Sequence, residues 1–175
     1  MRKNIKTLLA LKSGTPAIRG GEYRKWYGNN DYIIDWQDNG YRVMQRKQEK
    51  IRNCQDYRDD CKFIPAITWT SISSSKPSFR LSNNALSESA GMTLFTKDDL
   101  LYYCLAFLNS NVAEFILLLL NPTLNFTAGS ISALPLMQLK SNSDVTSIAQ
   151  KSITMEKDDW DSFETSWDFK KHPLV

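Results

Sequence analysis

The pattern of hydrophobic and polar positions predicts β-strands in the first half of the chain. Residues 22–27 and 31–36 are rich in Tyr, Trp and Ile, and they flank a Gly-Asn-Asn run at 28–30 that tolerates positive φ. This arrangement predicts a β-hairpin. Residues 63–72 form the apolar run of a buried strand, and residues 79–81 are expected to be extended as well.

Two later segments have apolar residues at helical spacing and predict a helix pair. Thr96 is expected to cap a first helix that runs to Leu108, and the Asn-Ser-Asn run at 109–111 is expected to cap a second that ends before Pro122. The apolar positions that recur at helical spacing are Leu101, Cys104, Leu105 and Leu108 on the first helix and Val112, Phe115, Ile116 and Leu119 on the second. We expect these two faces to pack against each other.

The rest of the chain shows weaker periodicity. Residues 41–53 lack Gly and Pro and carry Arg and Lys at helical spacing, which predicts a basic helix, whereas residues 144–151 are typical of a polar linker. The elements together predict an α+β fold. In it, a mixed β-sheet with hairpins from residues 22–95 packs on the helical pair of residues 97–120.

Composition fits one globular domain, because the 175 residues are 42% hydrophobic and 23% charged. The three cysteines include no CxxC pair, which argues against a disulfide framework or a structural zinc site and favours a cytoplasmic location. The most apolar stretch, residues 112–120, contains Glu114 and is far shorter than the roughly 20 residues that span a bilayer. We expect no signal peptide and no membrane partner.

Charge is distributed unevenly along the chain. Residues 1–80 carry 16 Lys and Arg against 8 Asp and Glu, whereas the remaining 95 residues carry 6 against 11. A basic half with interleaved aromatic residues suits a phosphate backbone, and it is equally compatible with an ordinary solvated surface. Omitting the five cations of residues 1–19 lowers the first-half excess from eight positive charges to three, which weakens the charge argument.

The sequence lacks the motifs of a methyl-transferring or hydrolytic site. A doubly wound S-adenosylmethionine enzyme needs a glycine-rich turn, and the chain contains no Gly-x-Gly. Adenine amino-methyltransferases use an Asp/Asn-Pro-Pro-Tyr/Phe motif. The most similar sequence here, Asn-Pro-Thr-Leu at 121–124, lacks the second proline and the aromatic residue. His172 is the only histidine, and the carboxylates of residues 158–164 lack calcium-loop spacing. We therefore expect no catalytic, cofactor-binding or metal-binding residues in this chain.

Several longer blocks carry a resemblance to a known family. In order, they are residues 20–30 (GGEYRKWYGNN), 67–69 (ITW), 73–75 (SSS), 108–110 (LNS), 121–126 (NPTLNF) and 160–169 (WDSFETSWDF). With these blocks the chain resembles the PglX-type adenine-specific DNA methyltransferases of BREX phage-defence systems. The resemblance implies a C-terminal region, similar to a target-recognition domain, that binds double-stranded DNA. It also implies that S-adenosylmethionine, the cofactor of the parent family, is bound upstream and not by this chain.

The first 19 residues depart from that family, which usually has a Lys-Lys-Trp-Tyr-Pro-like run before Gly-Gly-Glu-Tyr. Codons for Trp-Tyr-Pro-Cys-Asn-Lys, read one base later, encode the Gly-Thr-Pro-Ala-Ile-Arg of residues 14–19. We predict that residues 1–19 are an out-of-frame, non-native segment. Residues 20–140 would then form the DNA target-recognition region, and residues 141–175 a linker followed by a helical, acidic C-terminal segment.

Six residues are predicted to contact DNA. They are the cations Arg24, Lys25, Lys76 and Arg80 and the aromatic residues Tyr27 and Trp69. Cations neutralise phosphates, and aromatic rings stack on bases or wedge between them. For both aromatic residues, a place in the core is the alternative.

The leading prediction is a DNA-binding, target-recognition fragment of a methyltransferase that is inactive by itself. The alternative is a protein-interaction fragment or an inert relic, with other phage-defence proteins as partners. A recognition region separated from its catalytic domain is expected to expose apolar surface, which favours that alternative.

Overall fold

A computed structural model describes most of the chain. It covers residues 14–48, 61–73, 76–83, 85–87, 91–121, 123, 125–137 and 143–172. The strands are β1 (Gly14–Ile18), β2 (Tyr32–Asp35), β3 (Ala66–Thr70), β4 (Phe79–Ser82), β5 (Leu86–Ser87) and β6 (Gly91–Leu94). The helices are α1 (Gln37–Gln48), α2 (Asp98–Leu108), α3 (Asn111–Leu120), α4 (Ala128–Ser132) and α5 (Ser143–Asp161). Two small sheets combined with helices confirm the predicted α+β class.

The first sheet has the strand order β2–β1–β5. β1 runs antiparallel to β2, with Ala17 opposite Tyr32, and parallel to β5, with Ala17 beside Leu86. Ala17 and Ile18 are buried, and Gly91 of β6 lies so close that an added Cβ would sit 2.5 Å from the Ile18 carbonyl oxygen. Residues 14–18 therefore take part in the fold, whatever their coding frame.

The predicted hairpin of residues 22–27 with 31–36 is wrong in its first strand. β2 occupies residues 32–35 as expected but pairs with β1. Residues 22–27 form a loop, because Trp26 adopts a left-handed φ of 68° and Gly28 a φ of 119°, conformations that interrupt an extended strand.

The second sheet confirms the strands predicted at 63–72 and 79–81. Its order is β4–β3–β6, antiparallel throughout, with Trp69 opposite Phe79 and Thr70 opposite Gly91. All four residues of β4 are buried, including Arg80. This sheet contributes Trp69 and Phe79 to the hydrophobic core, α2 packs on it, and Ala113 and Leu117 of α3 belong to the same buried cluster.

Helices α2 and α3 form the predicted pair with one change at each start. Lys97 is the N-cap of α2 and makes no side-chain cap hydrogen bond, so the expected cap by Thr96 is wrong. The Ser110 hydroxyl accepts a hydrogen bond from the Ala113 amide at 3.2 Å, which confirms the predicted cap of α3. The expected inward face of α2, from Leu101 to Leu108, is buried.

The expected inward face of α3 is wrong at three of its four positions. Val112, Phe115 and Leu119 are exposed, whereas Ala113 and Leu117 are buried and the predicted Ile116 packs against the core. Because α3 is apolar on nearly every side, its periodicity does not single out one face.

Helix α5 replaces the polar linker predicted at 144–151. Only two of its residues, Ala149 and Ile153, are buried, and the helix packs along α2. The described part of the region from residue 141 onward therefore contacts the region before it, and the division into those two regions stays a prediction.

Helix α1 confirms the basic helix predicted at 41–53 as far as Gln48, and the remainder lies outside the described residues. Its regular part begins after Asp38, Asn39 and Gly40, all of which have left-handed φ values. The Trp36 ring packs so closely on Gly40 that a Cβ there would lie 2.8 Å from it.

Among the described residues, no single helix has the length and apolar composition of a bilayer span. Residues 100–108 and 111–120 meet those two criteria only as a pair, bent by 66° at the break between them.

Candidate nucleic-acid interface

The loop of residues 20–30 carries three of the six predicted DNA-binding residues, and its path depends on glycine. At Gly28, an added Cβ would lie 2.3 Å from Cδ of Arg24 and 2.9 Å from the ring of Trp160. Gly21 is tied to β3, since its amide donates to Oγ1 of Thr70 and its carbonyl accepts from that hydroxyl, each at 3.0 Å. The loop is thus held between the second sheet and the end of α5.

Arg24 points toward α5. Its guanidinium lies 2.9 Å from the Asp159 carboxylate and 3.5 Å from that of Glu156, and it stacks on the Trp160 ring at 5.1 Å. One cation thus meets two carboxylates and an aromatic face of its own chain. In this conformation, Arg24 joins the loop to the helix.

Lys25 and Lys76 share one carboxylate on α3. Lys76 Nζ is 2.6 Å and Lys25 Nζ is 3.7 Å from Glu114, which is largely buried. Lys25 also donates to the Asn109 carbonyl at 3.0 Å, at the junction of α2 and α3. The Glu114 partner raises the pKa of Lys76. Lys76 keeps 62% of its side chain exposed, so it is the more accessible of the two lysines.

Tyr27 is partly buried against the same end of α5. Lys157 lies 5.2 Å from the ring centroid and is ion-paired with Asp161 and, at 3.0 Å, with Asp168. Burial raises the pKa of the Tyr27 hydroxyl. Burial opposes the charge on Lys157, but hydrogen bonds to the two carboxylates outweigh it and raise the pKa of the lysine.

The C-terminal residues close over the loop from the same side. Trp167 Nε1 donates to the Asn30 carbonyl at 2.6 Å, and the buried Ser166 hydroxyl donates to Asp161 at 2.6 Å. We refer to these contacts of residues 24–30 with residues 156–168 as the clasp. The clasp brings together the two longest blocks that carry the family resemblance, 20–30 and 160–169.

Trp69 lies in the hydrophobic core. It is 2% exposed, packs against Phe79 with ring centroids 5.8 Å apart, and donates from Nε1 to the Phe126 carbonyl at 2.8 Å. Its place matches the alternative considered from the sequence, and its ring faces the protein interior rather than a surface.

Arg80 is 1% exposed in the middle of β4. Its guanidinium makes two long hydrogen bonds of 3.4 Å, to the Arg24 carbonyl and the Thr70 hydroxyl. Burial lowers the pKa of Arg80 to about 10, because the charged form loses its hydration. Within the described ranges it meets no carboxylate. Arg80 therefore holds the backbone of the loop at Arg24 from its buried position in β4.

A second group of cations and aromatic rings lies just after β1 and on β2 and α1. The Arg19 guanidinium stacks on the Tyr32 ring at 5.2 Å, and Arg42 pairs with Asp35 at 3.2 Å. Tyr32 and Tyr41 are exposed. We call these four residues, Arg19, Tyr32, Tyr41 and Arg42, the outer patch. None of them was among the six predicted contacts, although the basic helix at 41–53 was the signal that pointed to Arg42.

Of these surfaces, the outer patch and Lys76 offer the chemistry of phosphate contact, since cations and aromatic rings there face solvent. In the described ranges, no group of three or more His, Cys, Asp or Glu side chains is placed to bind a metal ion.

No protein-family model matches the chain. Two curated proteins do. An adenine-specific methyltransferase PglX of Lacticaseibacillus casei (strain Zhang) is 38% identical over 169 residues, which cover 94% of this chain and 14% of that protein. An adenine-specific methyltransferase BrxX of Escherichia coli O9:H4 (strain HS) is 35% identical over 164 residues, covering 91% of this chain and 13% of that protein.

Nearly the whole chain thus corresponds to one segment of proteins named as adenine-specific methyltransferases. The chain is similar to these two proteins over nearly its whole length, as the resemblance of its sequence blocks predicted, and it spans 14% and 13% of their length.

The extent of the match bears on residues 1–19. Because 94% of the chain is covered, the uncovered 6% of 175 residues is roughly ten residues. Part of residues 1–19 therefore falls inside the match even if every uncovered residue lies at the N-terminus. The out-of-frame origin of this segment stays a prediction, which the coding DNA tests.

Proposed function

We propose that this chain is a DNA-contacting, target-recognition segment of an adenine-specific DNA methyltransferase and acts on double-stranded DNA in the cytoplasm. The observation that carries the proposal is the match of 94% of the chain to one segment of a protein named for that activity. The outer patch adds a surface with the required chemistry.

Methyl transfer itself belongs, in this proposal, to other parts of the longer protein. The chain contains neither a Gly-x-Gly turn nor an Asn-Pro-Pro-Tyr-like motif, so S-adenosylmethionine and the reacting adenine would be held outside it. The chain alone is expected to show no saturable heat when S-adenosylmethionine is titrated into it.

Under this proposal, one of the six residues predicted from the sequence, Lys76, contacts DNA together with the outer patch, and the other five have a supporting role. Lys76 and the outer patch neutralise phosphates, and the exposed Tyr32 and Tyr41 rings lie along the sugar and base edges. Arg24, Lys25, Tyr27, Trp69 and Arg80 act indirectly, because they fix the loop, the clasp and the core on which that surface rests.

The experiment is duplex DNA binding by fluorescence anisotropy at several salt concentrations. In the double variant Arg19→Gln/Arg42→Gln, two phosphate contacts are removed, so affinity should fall at low salt. The slope of log affinity against log salt should become shallower by about 1.8. The matched control is Lys170→Gln/Lys171→Gln, which removes the same charge from two exposed residues near the chain end.

If both double variants lose affinity equally, the DNA is attracted to net charge alone and the outer patch is not the interface. If the parent chain does not bind duplex DNA at any salt concentration, the DNA-contacting function fails for this chain.

The second candidate is a protein-interaction segment of the same family. The exposed apolar side chains of α3 favour it, because soluble proteins rarely leave a contiguous apolar patch of this kind uncovered. An inert relic is the remaining alternative, and sequencing the coding region upstream in the adjacent frame tests it. A Lys-Lys-Trp-Tyr-Pro-like sequence encoded just ahead of Gly20, with a catalytic domain further upstream, would support the frame slip.

A further inference from the structure

Helix α3 has two apolar faces, and the part of the chain that the structure describes covers only one. Ala113 and Leu117 point into the core and are fully buried. On the opposite side, Val112, Phe115 and Leu119 are 63%, 65% and 68% exposed. Leu118 flanks this outward face and is also exposed, as is Leu120 at the end of the helix. A helix that is apolar all round is normally buried on all sides, so the outward face lacks its cover.

The helix is fixed in this orientation. The Glu114 carboxylate is ion-paired with Lys76 at 2.6 Å and with Lys25 at 3.7 Å. At the N-terminal end, the Ser110 hydroxyl caps the helix and Lys25 holds the Asn109 carbonyl. Turning α3 to hide Phe115 and Leu119 would break these contacts and expose Leu117. The apolar face therefore points outward because the surrounding polar contacts hold it there.

We propose that the outward face of α3 docks onto an apolar surface of the remaining polypeptide of the same methyltransferase. Two observations favour this occupant. The relatives are about seven times longer than the part they share with this chain, so most of each relative is polypeptide outside this segment. The outward face also carries no charged side chain between Phe115 and Leu120, so its complement must itself be apolar.

A second copy of this chain fits less well. The exposed parts of five side chains offer on the order of 500 Å², whereas a stable interface takes about 800 Å² from each partner. A segment within one longer polypeptide avoids most of the entropy cost of association, so a face of this size is sufficient there.

The test adds the labelled chain to the Lacticaseibacillus casei methyltransferase from which the matching segment has been deleted. The unaltered chain should bind with a measurable dissociation constant. Phe115→Gln/Leu119→Gln should weaken binding at least tenfold, because each change removes an apolar side chain from the interface. Ile148→Gln/Met155→Gln, two exposed apolar residues of α5, is the matched control and should change binding less than twofold.

Two further measurements separate this proposal from others. In urea unfolding of the chain alone, Phe115→Gln/Leu119→Gln should leave the midpoint nearly unchanged, because both side chains already face solvent. Its binding to duplex DNA should also be unchanged, so failure of docking and failure of DNA binding are distinguishable.

The proposal is overturned if the unaltered chain does not bind, or if the α3 and α5 variants bind equally well. It is also overturned if light scattering shows a dimer of this chain that Phe115→Gln/Leu119→Gln dissociates. Flotation of the chain with phosphatidylcholine vesicles, lost in the same variant, would assign the face to a lipid surface instead.

Discussion

The cations in and next to the loop of residues 20–30 and those of the outer patch have the same charge and different surroundings. Arg24, Lys25 and Arg80 donate to carbonyls and carboxylates of their own chain that lie 56 to 135 residues away along the sequence, and Arg80 donates also to the nearby Thr70 hydroxyl. Arg19, just after β1, stacks on Tyr32, and Arg42 of α1 pairs with Asp35, and both side chains lie at the exposed surface. The first group is largely enclosed by the fold, whereas the second lies on the exposed surface.

The largest expected effect separates the core from the outer patch. Trp69→Ala should lower the free energy of unfolding by about 3–5 kcal/mol, because it removes a buried ring and leaves a cavity between Phe79 and Phe126. Tyr41→Ala should change it by less than about 0.5 kcal/mol, because the ring is exposed. Urea unfolding of both variants measures the difference. Similar losses in the two variants would show that Trp69 is not a core residue.

A smaller effect is expected at the clasp. Arg24→Gln should lower the free energy of unfolding by about 1 kcal/mol. The effect is this small because the ion pairs are partly exposed and screened by water. The loss should shrink when unfolding is repeated in 1 M NaCl. Arg42→Gln is the control, since its side chain is 76% exposed, and it should cost almost nothing. A larger loss for Arg42→Gln than for Arg24→Gln would reverse the comparison.

The smallest effect depends on pH. The raised pKa of Lys157 means that its charge stabilises the folded chain below pH 10.5, the ordinary lysine value, and that this contribution declines at higher pH. Lys157→Met should therefore lower the free energy of unfolding, measured with urea, by a few tenths of a kcal/mol at both pH 7 and pH 9. The loss at pH 11 should be smaller. A difference that already declines between pH 7 and pH 9 would contradict the assignment.

Strands β3 and β4 and the pair α2–α3 could be predicted from the sequence because their signals are local. A continuous apolar run marks β3, and a serine before an apolar segment marks the start of α3. The hairpin prediction failed at Trp26, because an aromatic-rich segment has high strand propensity and nothing local shows that one residue adopts a left-handed φ. The first part of α5 was predicted as a linker because the helix buries only Ala149 and Ile153, too few positions to produce a clear period.

The candidate interface was harder to predict for a different reason. The sequence identifies every Lys and Arg as a possible phosphate contact. Whether such a side chain is already paired within the fold depends on residues far along the chain. Arg24 meets Asp159 and Glu156 on α5, a helix that the sequence predicted as partly a linker. Arg80 shows the same limit, since nothing around Phe79-Arg80-Leu81 indicates that the guanidinium is enclosed. Its DNA contact, like that of the other five predicted residues, stays a prediction.

The clasp also implies an order of events during synthesis of the chain. Arg24 and Asp159 are 135 residues apart, and Asn30 and Trp167 are 137 apart, so residues 20–30 leave the ribosome long before their partners exist. The β4–β3–β6 sheet and α2 are built from neighbouring segments and have low contact order, which favours early formation. The glycine-rich loop is therefore expected to be anchored last, and a nascent chain halted before residue 156 would hold its central sheet while Arg24 and Tyr27 remained open to chaperones and proteases.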